Sequence, residues 1–381
     1  MGTYRIVETF KITGRGIIYM LQISKNEVIH MGDLMYDLQG HRFKVKGIEM
    51  VRRAASWACD NIPSVGIMFE LLDKAEVSGR ILLSEPTEVN FLFCNHPIYS
   101  KRVDEDYEAE YQAAGLNHPC VLFSYEDLRD GKLSLYGEQI TGLTIYRGWM
   151  MKPEMYKTFY DLLEKQGILL INTPEEYEHY HLLPNWYEEF KDYTAESRWT
   201  TTNCMDDAID LSKRLRGSYI VKDYVKSRKH EWYDACYIQD IADRKNTEKV
   251  IRNFVHRQDD YLVGGVVLRQ FVPLKQIGFH EQSGIPIAEE YRVFVHAGRI
   301  LVIDDYWTNA HEVYLTDSEY KWIEEIAGNV KSNFVTIDLA RKADGSLIIM
   351  ELGDGQVSGL QQIEAAGFYR TFEGQNINNP K

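Results

Sequence analysis

Two carboxylates stand 13 residues apart on what reads as a β-hairpin: Asp338 within residues 334–340, and Glu351 at the end of 347–351 beyond a Lys342-Ala343-Asp344-Gly345 turn. Both runs are otherwise apolar, and an ionised carboxylate there is costly unless it meets a cation. Two carboxylates beside nucleotide phosphates supply the hard oxygen ligands that magnesium takes, with room left for phosphate and water. The alternative is a hairpin whose edge carboxylates simply face solvent. A second hairpin, 289–295 and 300–305 about the turn His296-Ala297-Gly298-Arg299, carries Arg292 inside an apolar strand. Its permanently charged fork suits phosphoryl and carboxylate oxygens; the alternative is a structural ion pair with Glu289 or Glu290. Lys222 closes the apolar run 219–222 and is followed by a basic stretch containing Lys226, Arg228 and Lys229. Such a stretch offers point charges to a polyphosphate, or is a solvated surface loop. The apolar run 266–274 includes a hinge, Phe271-Val272-Pro273, whose backbone either meets an adenine edge or packs. No Ser/His/Asp or Cys/His arrangement for nucleophilic catalysis stands out.

These residues need elements to hold them. The chain has 381 residues, which suggests two or three domains. With 44% hydrophobic and 26% charged residues it has the composition of an ordinary globular protein. Acidic residues outnumber basic ones 57 to 43, a formal charge of −14 that argues against generic coating of nucleic acid or anionic membranes. No apolar run is long enough to span a bilayer, and the first residues read as a strand rather than a signal peptide. Five cysteines without CxxC spacing point to reduced, mostly buried thiols in a cytoplasmic protein and to no zinc site.

Closely spaced strand candidates at 17–23, 43–48 and 65–72 suggest a small antiparallel barrel. The first 85 residues carry eleven Lys and Arg against ten Asp and Glu, so the negative charge falls on the remainder and a boundary is expected near Glu85-Pro86. Residues 88–172 alternate strands (89–94, 121–123, 143–147, 168–171) with helical stretches (104–114, 153–166), the pattern of a small parallel α/β layer. From 173 the pattern is α+β. A helical region at 174–190 leads to strands at 219–222, 265–269, 291–295, 300–304, 334–339 and 347–351, and a loose tail runs from 374 to 381. Tyr177, Tyr180, Tyr187 and Tyr193 read as core and interface rather than a stacking platform.

Taken in order, the lysine strand, basic loop, hinge strand, arginine hairpin and Asp/Glu hairpin resemble the ATP-grasp superfamily over roughly residues 88–372. The resemblance extends to a clade encoded by bacteria and phages through the runs 146–150, 181–187, 221–227 and 290–295. With the barrel read from the strand spacing of the first residues, this gives a multidomain α+β expectation: an N-terminal antiparallel β-barrel (1–86) and, as the resemblance implies, a small parallel α/β pre-ATP-grasp domain (88–172) and a C-terminal ATP-grasp α+β domain (173–381). The resemblance also implies roles. Lys222 would contact the α/β-phosphates and Lys226 would cover them from its loop. Phe271 and Val272 would bind adenine through backbone, and Arg292 would steady the transferred phosphoryl group. Asp338 and Glu351 would hold Mg2+ beside ATP. Arg269 and Asp305 are further site candidates, and Arg147 would line the acceptor cleft. Where the family has Glu-x-Asn, this chain reads Glu351-Leu352-Gly353, so Asp354 is the candidate to replace the asparagine as a metal ligand.

The runs 10–16, 30–33, 45–50, 65–67 and 79–82 resemble the second domain of elongation factor Tu, a barrel associated with tRNA ends. No Walker-type GxxxxGK[ST] run accompanies it, so a GTPase is excluded. Arg42, Lys44, Lys46, Arg52 and Arg53 surround Glu49 and could meet an anionic partner such as RNA or a carrier protein; equally, the barrel is an accessory that stabilises the chain. The expectation is an ATP-dependent carboxylate–amine ligase working through an acylphosphate on small-molecule or peptide substrates, with no membrane partner. The rival is an impaired ATP-grasp fold that binds RNA or the translation machinery through its barrel; a third option is phosphorylation of a substrate without ligation.

Overall fold

The computed structural model describes residues 2–23, 28–49, 64–86, 88–279, 286–307 and 315–373. Six antiparallel strands come first: β1 (Thr3–Ile12), β2 (Gly16–Gln22), β3 (Leu34–Asp37), β4 (Arg42–Glu49), β5 (Ser64–Leu71) and β6 (Ile81–Leu83). They close into a barrel in the order β1-β2-β5-β4-β3-β6. The two-residue period explains the inside and outside of β4: Phe43 and Val45 are buried, while Arg42, Lys44 and Lys46 face outward. Arg42 is held by Asp73 at 2.7 Å, and Arg52 and Arg53 of the supposed basic patch lie outside the described residues, as do Cys59 and the 374–381 tail.

The second layer contains β7 (Asn90–Cys94), α1 (Glu108–Ala114), β8 (Cys120–Phe123), α2 (Tyr125–Arg129), β9 (Leu135–Tyr136), β10 (Gly142–Arg147), α3 (Pro153–Glu164) and β11 (Ile168–Leu170). The sheet order is β11-β10-β7-β8-β9. Four strands are parallel as expected, but β9 returns antiparallel along the edge of β8. The helical region at 174–190 is two helices rather than one, α4 (Pro174–His181) and α5 (Leu183–Phe190). Thr173 and Glu176 form a capping box at the start of α4. Leu182 is extended, and Pro184, unable to donate to a preceding turn, opens the second helix. Tyr177, Tyr180 and Tyr187 are buried, whereas Tyr193 lies beyond α5 and is exposed.

Two further sheets follow. β12 (Ser197–Trp199), α6 (Met205–Ser212), β13 (Tyr219–Lys222), β14 (Tyr237–Ile238), α7 (Arg244–Gln258) and β15 (Val267–Gln270) make an antiparallel sheet ordered β12-β15-β13-β14. A short hairpin, β16 (Gln276–Phe279) and β17 (Pro286–Ala288), leads to β18 (Glu290–His296), β19 (Arg299–Asp305), α8 (Asp317–Asn329), β20 (Phe334–Arg341), β21 (Leu347–Asp354) and α9 (Ala365–Arg370). These last strands are ordered β19-β18-β20-β21.

One apolar cluster joins the barrel (Leu38, Ile81, Leu83), the α/β layer (Phe91, Phe93, Leu143) and the last sheet with its helix (Phe294, Phe334, Phe368, Phe372). Polar ties fix the same junction: Arg5 Nη2 donates to the Leu170 carbonyl at 2.7 Å, and the Arg80 amide to Asn333 Oδ1 at 2.7 Å. The approach is close enough that Gly79, at φ +73°, could not carry a side chain, because a Cβ would sit 2.8 Å from that of Ala297.

Candidate active site

Strand register assembles the site. Arg292 on β18 lies opposite Asp304 on β19 and Asp338 on β20, and Asp338 lies opposite Glu351 on β21. Paired residues share a face, so Asp304, Arg292, Asp338 and Glu351 form one row across the sheet. Arg292 clamps Asp338 with two parallel bonds, Nε to Oδ1 at 2.8 Å and Nη2 to Oδ2 at 2.7 Å, while Nη1 donates to the Gly359 carbonyl at 2.7 Å. Its guanidinium also lies 4.9 Å from the Tyr306 ring centroid. Glu289, a partner considered from the sequence, is engaged instead by Arg341 and Lys275.

The other sheet contributes the lysines. Lys222 ends β13 and is 7% exposed; its Nζ crosses to Glu351 Oε1 at 2.9 Å. Residues 223–227 turn back on themselves, with Asp223 Oδ1 accepting from the amides of Val225 and Lys226, which leaves the Lys226 side chain exposed. Lys229 stands in a short helical turn, open to solvent within the cleft. Burial works to lower its pKa, but the carboxylates of Glu290, Glu351 and Asp338 outweigh it and hold the ammonium above its ordinary value. Burial raises Asp338 in spite of Arg292, whereas Lys222 carries Glu351 below its usual range against the same burial. His181, at the end of α4, stacks on Tyr177 at 4.9 Å and is pushed by burial down to about 4, so its imidazole is neutral at pH 7. Sequence reasoning assigned no separate role to Lys229 or His181. Among the neighbouring cations Lys226, Arg228 and Lys229, nothing in the sequence marks which one meets the cleft carboxylates.

Several expected residues lie elsewhere. Arg269 does not reach the cleft: its Nη atoms donate to Ser197 Oγ, Thr194 Oγ1 and the carbonyls of Ile349 and Met350, and burial draws it down to about 10. Asp305 is opposite Tyr291, on the other face from Arg292. Arg147 does not line a cleft but is fully buried on Glu110, with Nε to Oε2 at 2.9 Å. The Phe271 amide is already given to the Ser218 carbonyl at 2.8 Å, and its ring meets Tyr237 at 5.0 Å. Val272 packs with Ala340 and Ile348.

Asp354 is a correction. It lies three residues past Glu351, on the opposite face of β21, buried against Asn172 Nδ2 at 2.6 Å and the Gln356 amide at 2.9 Å. It cannot join Glu351 around one ion. The cleft-facing position is Gly353, where a Cβ would come within 3.1 Å of Thr336 Oγ1 and 3.3 Å of Ser358 Oγ. Those two hydroxyls hydrogen-bond to each other at 2.7 Å. Among the described residues no three His, Cys, Asp or Glu side chains converge on a metal position. The adjacent carboxylates Asp338 and Glu351 nevertheless fit magnesium as a partial oxygen set that phosphate and water would complete.

Two antiparallel sheets thus meet through Lys222 and Glu351, with lysines on one side and the Arg292–Asp338–Glu351 row on the other. Residues 204–371 match a family described as an ATP-grasp domain, the third family of its clade, and the ATP-grasp resemblance read from the ordered motifs is borne out there. Among solved structures, the chain is similar to a RimK domain ATP-grasp protein from Sphaerobacter thermophilus (12% identity, 75% of this chain and 99% of that one, TM-score 0.48). It is also similar to D-alanyl-alanine synthetase A from Vibrio cholerae (15%, 77% and 95%, TM-score 0.47). A third is the ATP-grasp ligase PsnB complexed with a minimal precursor (11%, 76% and 100%, TM-score 0.48). No curated protein matches the chain significantly in sequence. Among the described residues no helix is long and apolar enough to cross a membrane.

Proposed function

We propose that this protein is an ATP-dependent ligase that joins a carboxylate to an amine. The observation that carries the reading is the row Arg292–Asp338–Glu351 met from the opposite sheet by Lys222. In this reading Lys222 and Lys229 hold the phosphates of ATP, with Lys226 closing over them from its turn. Arg292, released from Asp338, lies against the phosphoryl group as it passes to the substrate carboxylate. Asp338 and Glu351 hold magnesium, which supplies neutralisation of the polyphosphate charge when bound. The acylphosphate so formed is attacked by an amine, phosphate leaves, and an amide results; no side-chain nucleophile is required. Adenine would lie near the Phe271-Val272 hinge, through backbone groups other than the Phe271 amide. Domain limits of 1–86, 88–172 and 173–381 complete the reading, and small-molecule and peptide carboxylates and amines are the substrates to screen.

The test is calorimetric titration with a non-hydrolysable ATP analogue, with and without magnesium, on the wild type, Lys222→Ala and Glu351→Gln. Magnesium-dependent binding by the wild type that is lost in Lys222→Ala and no longer improved by magnesium in Glu351→Gln supports the reading and opens a screen for ADP release. Absence of wild-type binding at millimolar nucleotide refutes it.

A further inference from the structure

The β20–β21 hairpin is not regular. Arg341 pairs with Leu347, Ala340 with Ile348 and Leu339 with Ile349, but Asp338 then pairs with Glu351, so Met350 is an extra residue. Without that bulge Met350 would oppose Asp338. Glu351 would point to the other face of the sheet, into the apolar layer that holds Val335, Ile337 and Leu352. A bulge also takes backbone groups out of the ladder, and these need partners when buried. Here the partner is Arg269 on β15. Nη2 donates to the carbonyls of Ile349 at 3.1 Å and Met350 at 3.0 Å and to Thr194 Oγ1 at 2.8 Å, and Thr194 Oγ1 donates in turn to the Ile349 carbonyl at 2.8 Å. Nη1 donates to Ser197 Oγ at 3.2 Å. Every one of these hydrogen bonds goes to a neutral oxygen; the carboxylate whose charge Arg269 feels, at longer range, is Glu351 itself, and a buried cation held in this way is a costly means merely to fill space.

We propose that Arg269 is a positioning residue: by gripping the two carbonyls of the Met350 bulge from another sheet, it sets the register that turns Glu351 into the cleft. This rests on the ligase reading for its catalytic meaning, but the register itself is testable without nucleotide. Glu351→Cys and Leu352→Cys are made singly and in combination with Arg269→Met, and each is alkylated with iodoacetamide and followed by peptide mass spectrometry, which separates the new thiol from the native cysteines. The expected result is reciprocal: loss of the guanidinium slows alkylation at 351 and speeds it at 352, each by about tenfold or more. Unchanged rates at both positions overturn the proposal. So does acceleration at both, which marks general loosening of the core. Arg269→Lys, whose side chain is one bond shorter and whose single nitrogen cannot hold Ser197 together with the bulge carbonyls, is carried alongside in case Arg269→Met does not fold, with the same reciprocal change expected. A calorimetric arm with the ATP analogue then connects register to function. Arg269→Met should lose the magnesium-dependent gain in affinity while its metal-free affinity rises, by up to about tenfold, because Lys222 is freed from Glu351. Equal loss in both conditions would make Arg269 a direct nucleotide contact and overturn the positioning role. Reciprocal alkylation in a protein whose wild type binds no nucleotide would leave the register assignment standing and refute the ligase reading.

Discussion

At the scale of single residues, the cleft already contains its own counter-ions. Each carboxylate of the proposed metal pair is answered by a cation of the proposed phosphate set, Asp338 by Arg292 and Glu351 by Lys222. A nucleotide without metal must draw Lys222 away and leave Glu351 facing phosphate, whereas metal and nucleotide together replace both members of each pair. Glu351→Gln frees Lys222, so its affinity for metal-free analogue should rise about tenfold, equivalent to roughly 1.4 kcal/mol, while magnesium should cease to help. Calorimetry with chelator present measures this. Asp304→Asn, on the same face but without a cation of the phosphate set paired to its side chain, controls for the loss of charge and should change metal-free affinity by less than about threefold. Lys229→Met should weaken analogue binding by about tenfold or more, as expected for loss of one charge-assisted contact to phosphate. The types and order of Lys222, Arg292, Asp338 and Glu351 were legible in the sequence because each is a charge placed in or at the end of an apolar run. Lys229 was not, because nothing in the basic run separates it from Lys226 and Arg228; only the fold sets its charge among Glu290, Glu351 and Asp338.

Among elements, period-two patterning and turn residues revealed the longer strands and the two site hairpins to within a few residues, but not the short strands β3, β6, β9, β12, β14, β16 and β17, which are too brief to show a period. Register was beyond reach. An Asp and a Glu 13 residues apart pair directly about an even-numbered turn, but with Arg341 opposite Leu347 they share a rung only because one residue bulges, and the carbonyls of that bulge are held by an arginine 80 residues away in sequence. Arg147 illustrates the same difficulty. A cation ending a strand in a cleft-forming layer reads as a ligand, until Glu110 on α1 is seen to enclose it with help from Tyr369. Arg147→Met should therefore act on stability rather than on nucleotide binding. It leaves Glu110 buried without its cation, at a cost of about 3–5 kcal/mol readable from chemical denaturation.

For the whole molecule, Asp354 ties the second layer to the last sheet through Asn172. Burial raises its pKa to about 7 against the hydrogen bonds from Asn172 and Gln356 that oppose the shift. A carboxyl whose pKa is higher folded than unfolded holds a proton that the unfolded chain has released, so its contribution to stability is full below about pH 4 and is lost as pH rises through 7. Wild type should thus lose a few kcal/mol relative to Asp354→Asn between about pH 4 and 8, seen as diverging unfolding midpoints; parallel midpoints would remove Asp354 from the account. The cluster that unites Leu38 with Phe372 has another consequence, for synthesis. A ribosome adding roughly 5–20 residues per second reaches Phe372 tens of seconds after Leu38. For that interval the barrel face at Leu38, Ile81 and Leu83 can meet Phe91, Phe93 and Leu143 of the second layer but not the last sheet and α9, so part of the shared apolar surface stays uncovered. The barrel is thus among the last units to be finished, and the risk of misassembly falls on the window before α9 emerges.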